Sequence, residues 1–126
     1  MKIADRVFGY LLILGAVGHT IGTILWVPAM SQLFIWSLGS AVAAFVLGAL
    51  NILRAGRPDD RPLAAITVVG TFAWMLVALA FGISIHRVLD PRPLSHIIIS
   101  LFLVLFGIRS LTPARQPMQQ RRAVVR

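Results

Sequence analysis

Four long apolar runs, separated by short polar breaks, leave this chain few ways to fold. They cover Val7–Val27, Leu33–Leu53, Leu63–Ile85 and Leu94–Leu111. An α-helix needs about 20 apolar residues to cross the hydrocarbon core of a bilayer, and each run is close to that length. With 126 residues in all, little is left for a soluble domain. Lipid cannot satisfy exposed backbone N–H and C=O groups, so a spanning segment must be a helix or part of a closed barrel. The runs are continuous rather than alternating, which selects helices. The expectation is an all-α integral membrane protein, a four-transmembrane-helix bundle of two antiparallel hairpins. Residues 1–111 form the bundle, and residues 112–126 a basic, disordered cytoplasmic tail.

Composition agrees. Hydrophobic residues make up 58% of the chain and charged residues 13%, against about 45–50% and about 25% in soluble domains. The chain has no cysteine, which excludes disulfides, thiolate metal sites and Cys-based catalysis. The net charge of +8 does not point to nucleic acid. Its basic residues stand at span ends and in the tail, not among aromatics on a soluble face. Lys2 and Arg6 precede an apolar stretch that runs on through Trp26, too long for the core of a cleaved signal. We read a first span there.

The charges also set an orientation. Lys2, Arg6, Arg54, Arg57, Arg61, Arg109, Arg115, Arg121, Arg122 and Arg126 fall on one side of an even-numbered bundle, and only Arg87 and Arg92 on the other. Basic residues stay in the cytoplasm. A multi-pass protein of the inner membrane with both termini cytoplasmic is expected. The tail would lie against anionic lipid headgroups, where each cation contributes on the order of 1 kcal/mol. Trp26 and Trp36 flank the first outer loop, a favourable depth for an indole.

The breaks carry turn chemistry. Pro28–Gln32 is tight enough for a hairpin. In the stretch from Arg54 to Pro62, Gly56, Pro58 and Pro62 punctuate, and Asp59 and Asp60 are placed to cap the third span. Asp90-Pro91-Arg92-Pro93 reads as a rigid turn.

In lipid, helices associate through small residues that let backbones approach. Gly15, Gly18 and Gly22 stand on span one, where Gly18 and Gly22 make a G-x-x-x-G. Ser40, Ala44 and Gly48 recur every fourth residue on span two, with Ser37 and Ala41 beside them. Spans one and two are expected to meet through Gly18, Gly22, Ala41, Ala44 and Gly48. Ala78 and Gly82 are the small residues of span three. Span four is bulky, with Ile97, Ile98, Ile99, Leu101, Phe102 and Leu103. It should face lipid, a membrane protein partner or a second copy of the chain.

Polar residues at depth are the candidates for function, because burying them in hydrocarbon is costly. At 1.5 Å per residue, His19, Ser40, Trp74 and Ser100 lie roughly 16–20 Å in from the cytoplasmic ends of their spans. They form the candidate ligand-binding level, with His19 turned into the bundle, neutral, and within reach of Trp74 or a polar group on span two or four. The bland alternative is a His19 that only satisfies a neighbouring hydroxyl or carbonyl. His86 and His96 read as residues of the outer ends, roughly 10 Å above His19, a poor geometry for a bis-imidazole haem. No metal site or cofactor is expected, since a histidine pair without a carboxylate cluster is a weak ligand set. A second polar group, Asn51, Thr67 and Arg109, marks the cytoplasmic ends of spans two to four, with Arg109 snorkelling to headgroups. No Asp or Glu lies within the four runs, and no Ser/His/Asp set shares one depth. Two functional classes remain: a non-catalytic subunit or accessory protein of a larger membrane complex, and a small-molecule binding or transport protein with a pocket near His19 and Trp74.

Overall fold

The computed structural model describes residues 2–112. The expected tail, from Pro113 on, lies outside them. Four α-helices account for nearly all of the described chain: α1 (Lys2–Trp26), α2 (Gln32–Gly56), α3 (Arg61–Ser84) and α4 (Pro91–Leu111). All four are long and apolar enough to cross a membrane.

The helices run past the apolar runs because capping residues lie outside them. The Ser31 hydroxyl accepts from the Phe34 N–H at 3.1 Å and starts α2. The Asp60 carboxylate accepts from the Leu63 N–H at 3.0 Å and starts α3, with Pro62 in its first turn. Of the two aspartates, Asp60 is the cap. Asp90 does the same for α4 through the Arg92 N–H at 3.0 Å. Each cap satisfies a backbone donor that the first helical turn leaves orphaned. The segment expected to be a rigid turn, Asp90–Pro93, is therefore a cap followed by the first turn of a helix. Proline lacks the N–H that would be wasted there. The first and third turns use the left-handed region, at Met30 (φ 61°) and His86 (φ 54°).

Helix α1 packs most extensively on α2, and α3 on α4. Narrower contacts join α1 to α4 and α2 to α3, and α2 only brushes α4 across the centre. A glycine lets the backbones close up at each neighbouring interface. A Cβ on Gly48 would stand 2.9 Å from the Gly9 carbonyl oxygen and 2.7 Å from Ile13 Cγ1. A Cβ on Gly9 would in turn press on Ile52 Cγ1 at 2.6 Å. Gly70 of α3 receives Leu47 of α2, Gly107 of α4 receives Val68 of α3, and Gly15 of α1 receives the His96 ring of α4. Between α1 and α4, Phe8 packs at a tilt of 44° on Phe102 with ring centroids 4.7 Å apart and meets Phe106 edge-on at 5.8 Å. Leu12, Ala16, Ala44 and Leu103 form the buried apolar centre.

The expected contact of the first two spans needs one correction. Ala41, Ala44 and Gly48 are buried on α2, but Gly18 and Gly22 do not meet them. A Cβ on Gly18 would find open space, and one on Gly22 would touch only the ring of Trp26 in its own helix. The G-x-x-x-G lies on the outer face of α1. The close approach is made by Gly9, about two and a half turns before Gly18, because the contact face of α1 runs through Gly9, Leu12 and Ala16.

Candidate functional site

Two polar clusters lie inside the bundle, and neither is centred where the sequence places it. The first is built on Arg54. This residue reads from sequence as part of a loop, yet it sits in the last turn of α2 with none of its surface exposed. Its Nη2 donates to the Asp5 carboxylate of α1 in a salt bridge. Nη1 donates to the Ser110 hydroxyl of α4 at 3.0 Å. Nε and Nη2 share the Asn51 carbonyl oxygen one turn back, at 3.4 and 3.3 Å. The Asn51 amide continues the network, donating to the Leu47 carbonyl and to the Thr71 hydroxyl of α3, both at 2.9 Å. All four helices are thus joined through one guanidinium and one amide.

This arrangement answers the physical problem of an ion in an apolar interior. A lone buried charge is prohibitively costly, and an ion pair is tolerable only when its remaining hydrogen-bonding groups are satisfied. Arg54 has one anion and two neutral acceptors, a good match for the planar fork of donors it carries. Gly107 lies against the guanidinium carbon and leaves room for it. Asn51 and Thr67, expected at this end of the bundle, are fully buried. Arg109 is exposed, so the buried arginine is Arg54. The sequence does carry a signal for it. The small and polar stripe Ala41, Ala44, Gly48, Asn51 keeps a helical spacing, and its next members are Arg54 and Ala55. On α1 the stripe Ala16, Leu12, Gly9 runs back to Asp5 in the same way.

The second cluster is at the candidate ligand level. Trp74 is half-buried, and its Nε1–H donates to His96 Nδ1 at 3.3 Å. The rings meet edge to face at 5.6 Å. His96 was expected at the outer surface. It instead reaches across to α1, where its Nε2 lies 3.0 Å from the position a Gly15 Cβ would take. The stripe Gly107, Leu103, Ser100 on α4 runs back to His96, which is why it turns inward.

The other expected members divide. His19 is exposed, and its side chain makes no hydrogen bond among the described residues. The expected inward orientation fails because the buried face of α1 runs through Leu12, Ala16 and Thr23. His19 stands one turn beyond Gly15, whose own neighbour is the His96 ring of α4. The Ser40 hydroxyl is used within its own helix, donating to the Trp36 carbonyl at 3.0 Å. Ser100 is fully buried one turn from His96, and its hydroxyl has no hydrogen-bond partner among the described residues. Of the expected level, Trp74 therefore meets His96, which packs on Gly15, while Ser100 lies buried one turn along α4, His19 is exposed one turn along α1 and Ser40 is elsewhere. Gly15 belongs to the site rather than to the contact with α2.

Among the described residues, no three His, Cys, Asp or Glu side chains gather to hold a metal ion. Outside the bundle, residues His86–Asp90 line an open cavity of about 440 Å³ in the turn before α4. There Asp90 pairs with Arg92 at 2.9 Å. That hydrogen bond, more than any other cause, holds its carboxyl down from an ordinary 3.8 to about 2. The chain matches no protein-family model, no curated protein and no solved structure at a significant level.

Proposed function

We propose that this chain is a four-span inner-membrane protein, folded as two antiparallel hairpins with both termini cytoplasmic. Its role is that of a non-catalytic subunit or accessory protein of a larger membrane complex. The membrane reading rests on four helices of spanning length whose outer faces carry large apolar side chains, among them Leu14, Ile21, Phe45, Val69 and Leu105. Antiparallel hairpins are supported by the order of the contacts. Gly9 approaches Gly48 and Ile52, and Ile13 approaches Gly48. The orientation rests on the basic residues alone.

The observation that carries the accessory role is the use made of Arg54. An ionisable residue inside a membrane domain is by default a functional candidate. Here it is consumed in tying α1, α2 and α4 together, with Asn51 extending the tie to α3. The interior charge makes a rigid scaffold rather than a reaction centre. What such a scaffold offers is its outer surface. On α4, Ile98, Leu101, Leu105 and Ile108 are exposed at the three-and-four spacing that suits packing against another helix. A partner helix or a second copy of the chain would dock there, while the basic tail engages anionic headgroups.

The test is purification of the tagged full chain from its native membrane in mild detergent. A membrane protein recovered at fixed stoichiometry is expected, and Leu101→Arg with Leu105→Arg should release it. A chain that purifies alone, with intact helices, would sink the accessory reading without touching the membrane one. The second functional class, a small-molecule binding protein, is favoured by one specific observation: the unpartnered Ser100 hydroxyl beside His96.

A further inference from the structure

We propose that the end of the bundle where α1 begins and α2 stops holds the phosphate of an anionic phospholipid, with Arg6 and Arg57 as its ligands. The argument starts from two charges that the fold brings to one helix end. The Arg6 guanidinium lies over Gly56, the last residue of α2, with its Nη2 3.7 Å from where a Gly56 Cβ would stand. Arg57 follows Gly56 directly and caps the helix. Both arginines are exposed, and neither makes a salt bridge among the described residues.

The carboxylates of this end do not answer them. Asp5, beside Arg6 in the chain, is committed to the buried Arg54. Asp60 accepts from the Leu63 N–H as the cap of α3. Asp59 makes no salt bridge among the described residues. The C-terminus of α2 supplies about half a negative charge, which offsets only about a quarter of two cations. A surplus of about +1.5 therefore remains at this helix end. The place is also open, since nothing but Arg6 comes within 4 Å of a Gly56 Cβ position.

The chemistry that fits is a phosphate. A guanidinium presents a planar fork of donors that matches two phosphate oxygens, and two forks suit one phosphate. The neighbouring residues favour lipid as its source. One turn along α1 from Arg6, Tyr10 is exposed, and one turn back along α2 from Arg57, so is Leu53. Residues four apart share a helix face. Each helix thus sets a cation at its end and an aromatic or aliphatic side chain about 6 Å further into the membrane. A phospholipid has the same order from headgroup to chain, and tyrosine is enriched at the depth between them. This inference rests on the membrane reading above and deepens it, because the bundle itself, and not only the tail, engages a headgroup. It does not rest on the accessory role.

The experiment uses the full chain in phosphatidylcholine nanodiscs doped with spin-labelled phosphatidylglycerol or spin-labelled phosphatidylcholine. The motionally restricted fraction of each label gives the selectivity for the anionic lipid. A preference for phosphatidylglycerol is expected. Arg6→Gln or Arg57→Gln should lower it about fivefold, the effect of one basic residue beside anionic lipid. Arg61→Gln removes the same charge from the start of α3, a helix that does not touch α1. It should change the preference less than about twofold, since salt screens a more distant charge. Gly56→Glu places a carboxylate beside Arg6 and should abolish the preference in a chain whose helices are intact. Equal losses in the Arg6, Arg57 and Arg61 variants would reveal a diffuse surface charge and overturn the site. An unchanged preference in Arg6→Gln combined with Arg57→Gln would also overturn it, as would a wild type with no preference. Displacement of the labelled lipid by inorganic phosphate would assign the site to a free anion and overturn the lipid assignment. Both faces of the disc carry the same lipids, so the direction of insertion does not enter. A chain that fails to enter the discs would sink the membrane reading and this inference with it. Every other outcome is read with the protein already in a bilayer, so the two failures are told apart.

Discussion

Arg54 shows what a single residue can hold together and what its loss would expose. Removing the guanidinium strands the Asp5 carboxylate, whose side chain is only 13% exposed, and leaves the Asn51 carbonyl without a donor. Breaking a buried pair from one side costs about 3–5 kcal/mol. Arg54→Met should therefore lower the unfolding free energy by about 3 kcal/mol, measured by reversible denaturant titration in micelles. Arg54→Met combined with Asp5→Leu should recover most of that loss, since two apolar groups replace a pair rather than half of one. A double variant no more stable than the single one would show that Asp5 is not the partner that matters. His19 gives the opposite lesson. It is the deepest ionisable residue of span one by sequence, but its face of the helix points outward.

At the scale of the element, the glycines of α1 and α2 separate by position rather than by motif. Gly48→Ala would drive a methyl into the backbone of α1, which cannot move as a side chain can. It should cost about 1–3 kcal/mol. Gly18→Ala meets open space and should be neutral, or stabilise by up to about 1 kcal/mol through helix propensity. Melting of both variants in the same detergent checks the pair, and a destabilising Gly18→Ala would refute the packing described. The start of α4 carries a pH dependence. The Asp90 carboxyl titrates lower in the folded chain than in the unfolded one. Its contribution is therefore present above 3.8 and lost as pH falls from there towards 2. Exchange of the Arg92 amide should accelerate over that window, and Asp90→Asn should abolish the pH dependence. An amide whose protection is flat across the window would show that the cap is not made by the ionised carboxylate.

For the whole molecule, charge placement and interior ties make separate predictions. Reporter fusions after Arg126 and next to Pro91 should report opposite sides of the membrane, with the first cytoplasmic. Equal signals from both sides for each fusion would mean insertion in two orientations. Arg54 is spent inside the bundle, so in the segment between α2 and α3 the exposed basic residues left to bias the orientation are Arg57 and Arg61. Replacing both by Gln should weaken the orientation bias more than Arg54→Met does, although all three stand within eight residues of one another.

Four helices of spanning length were legible in the sequence, because apolar length and turn residues are local properties. So were the Asp60 cap and the small-residue face of α2 through Ala41, Ala44 and Gly48. Their helical spacing is written in consecutive turns. Which residue fills each interface was decided only by the tertiary structure. Gly18 and Gly22 carry the more recognisable motif, yet Gly9 makes the contact with α2, because the rotation of α1 about its axis is set by both neighbours at once. The same rotation leaves His19 outside and brings His96 over Gly15. Arg54 and Asp5 lie far apart in sequence, one at the edge of a loop and one at the start of a helix. Neither has meaning inside an apolar core without the other. A buried ion pair depends on two elements arriving together, and no local pattern announces it.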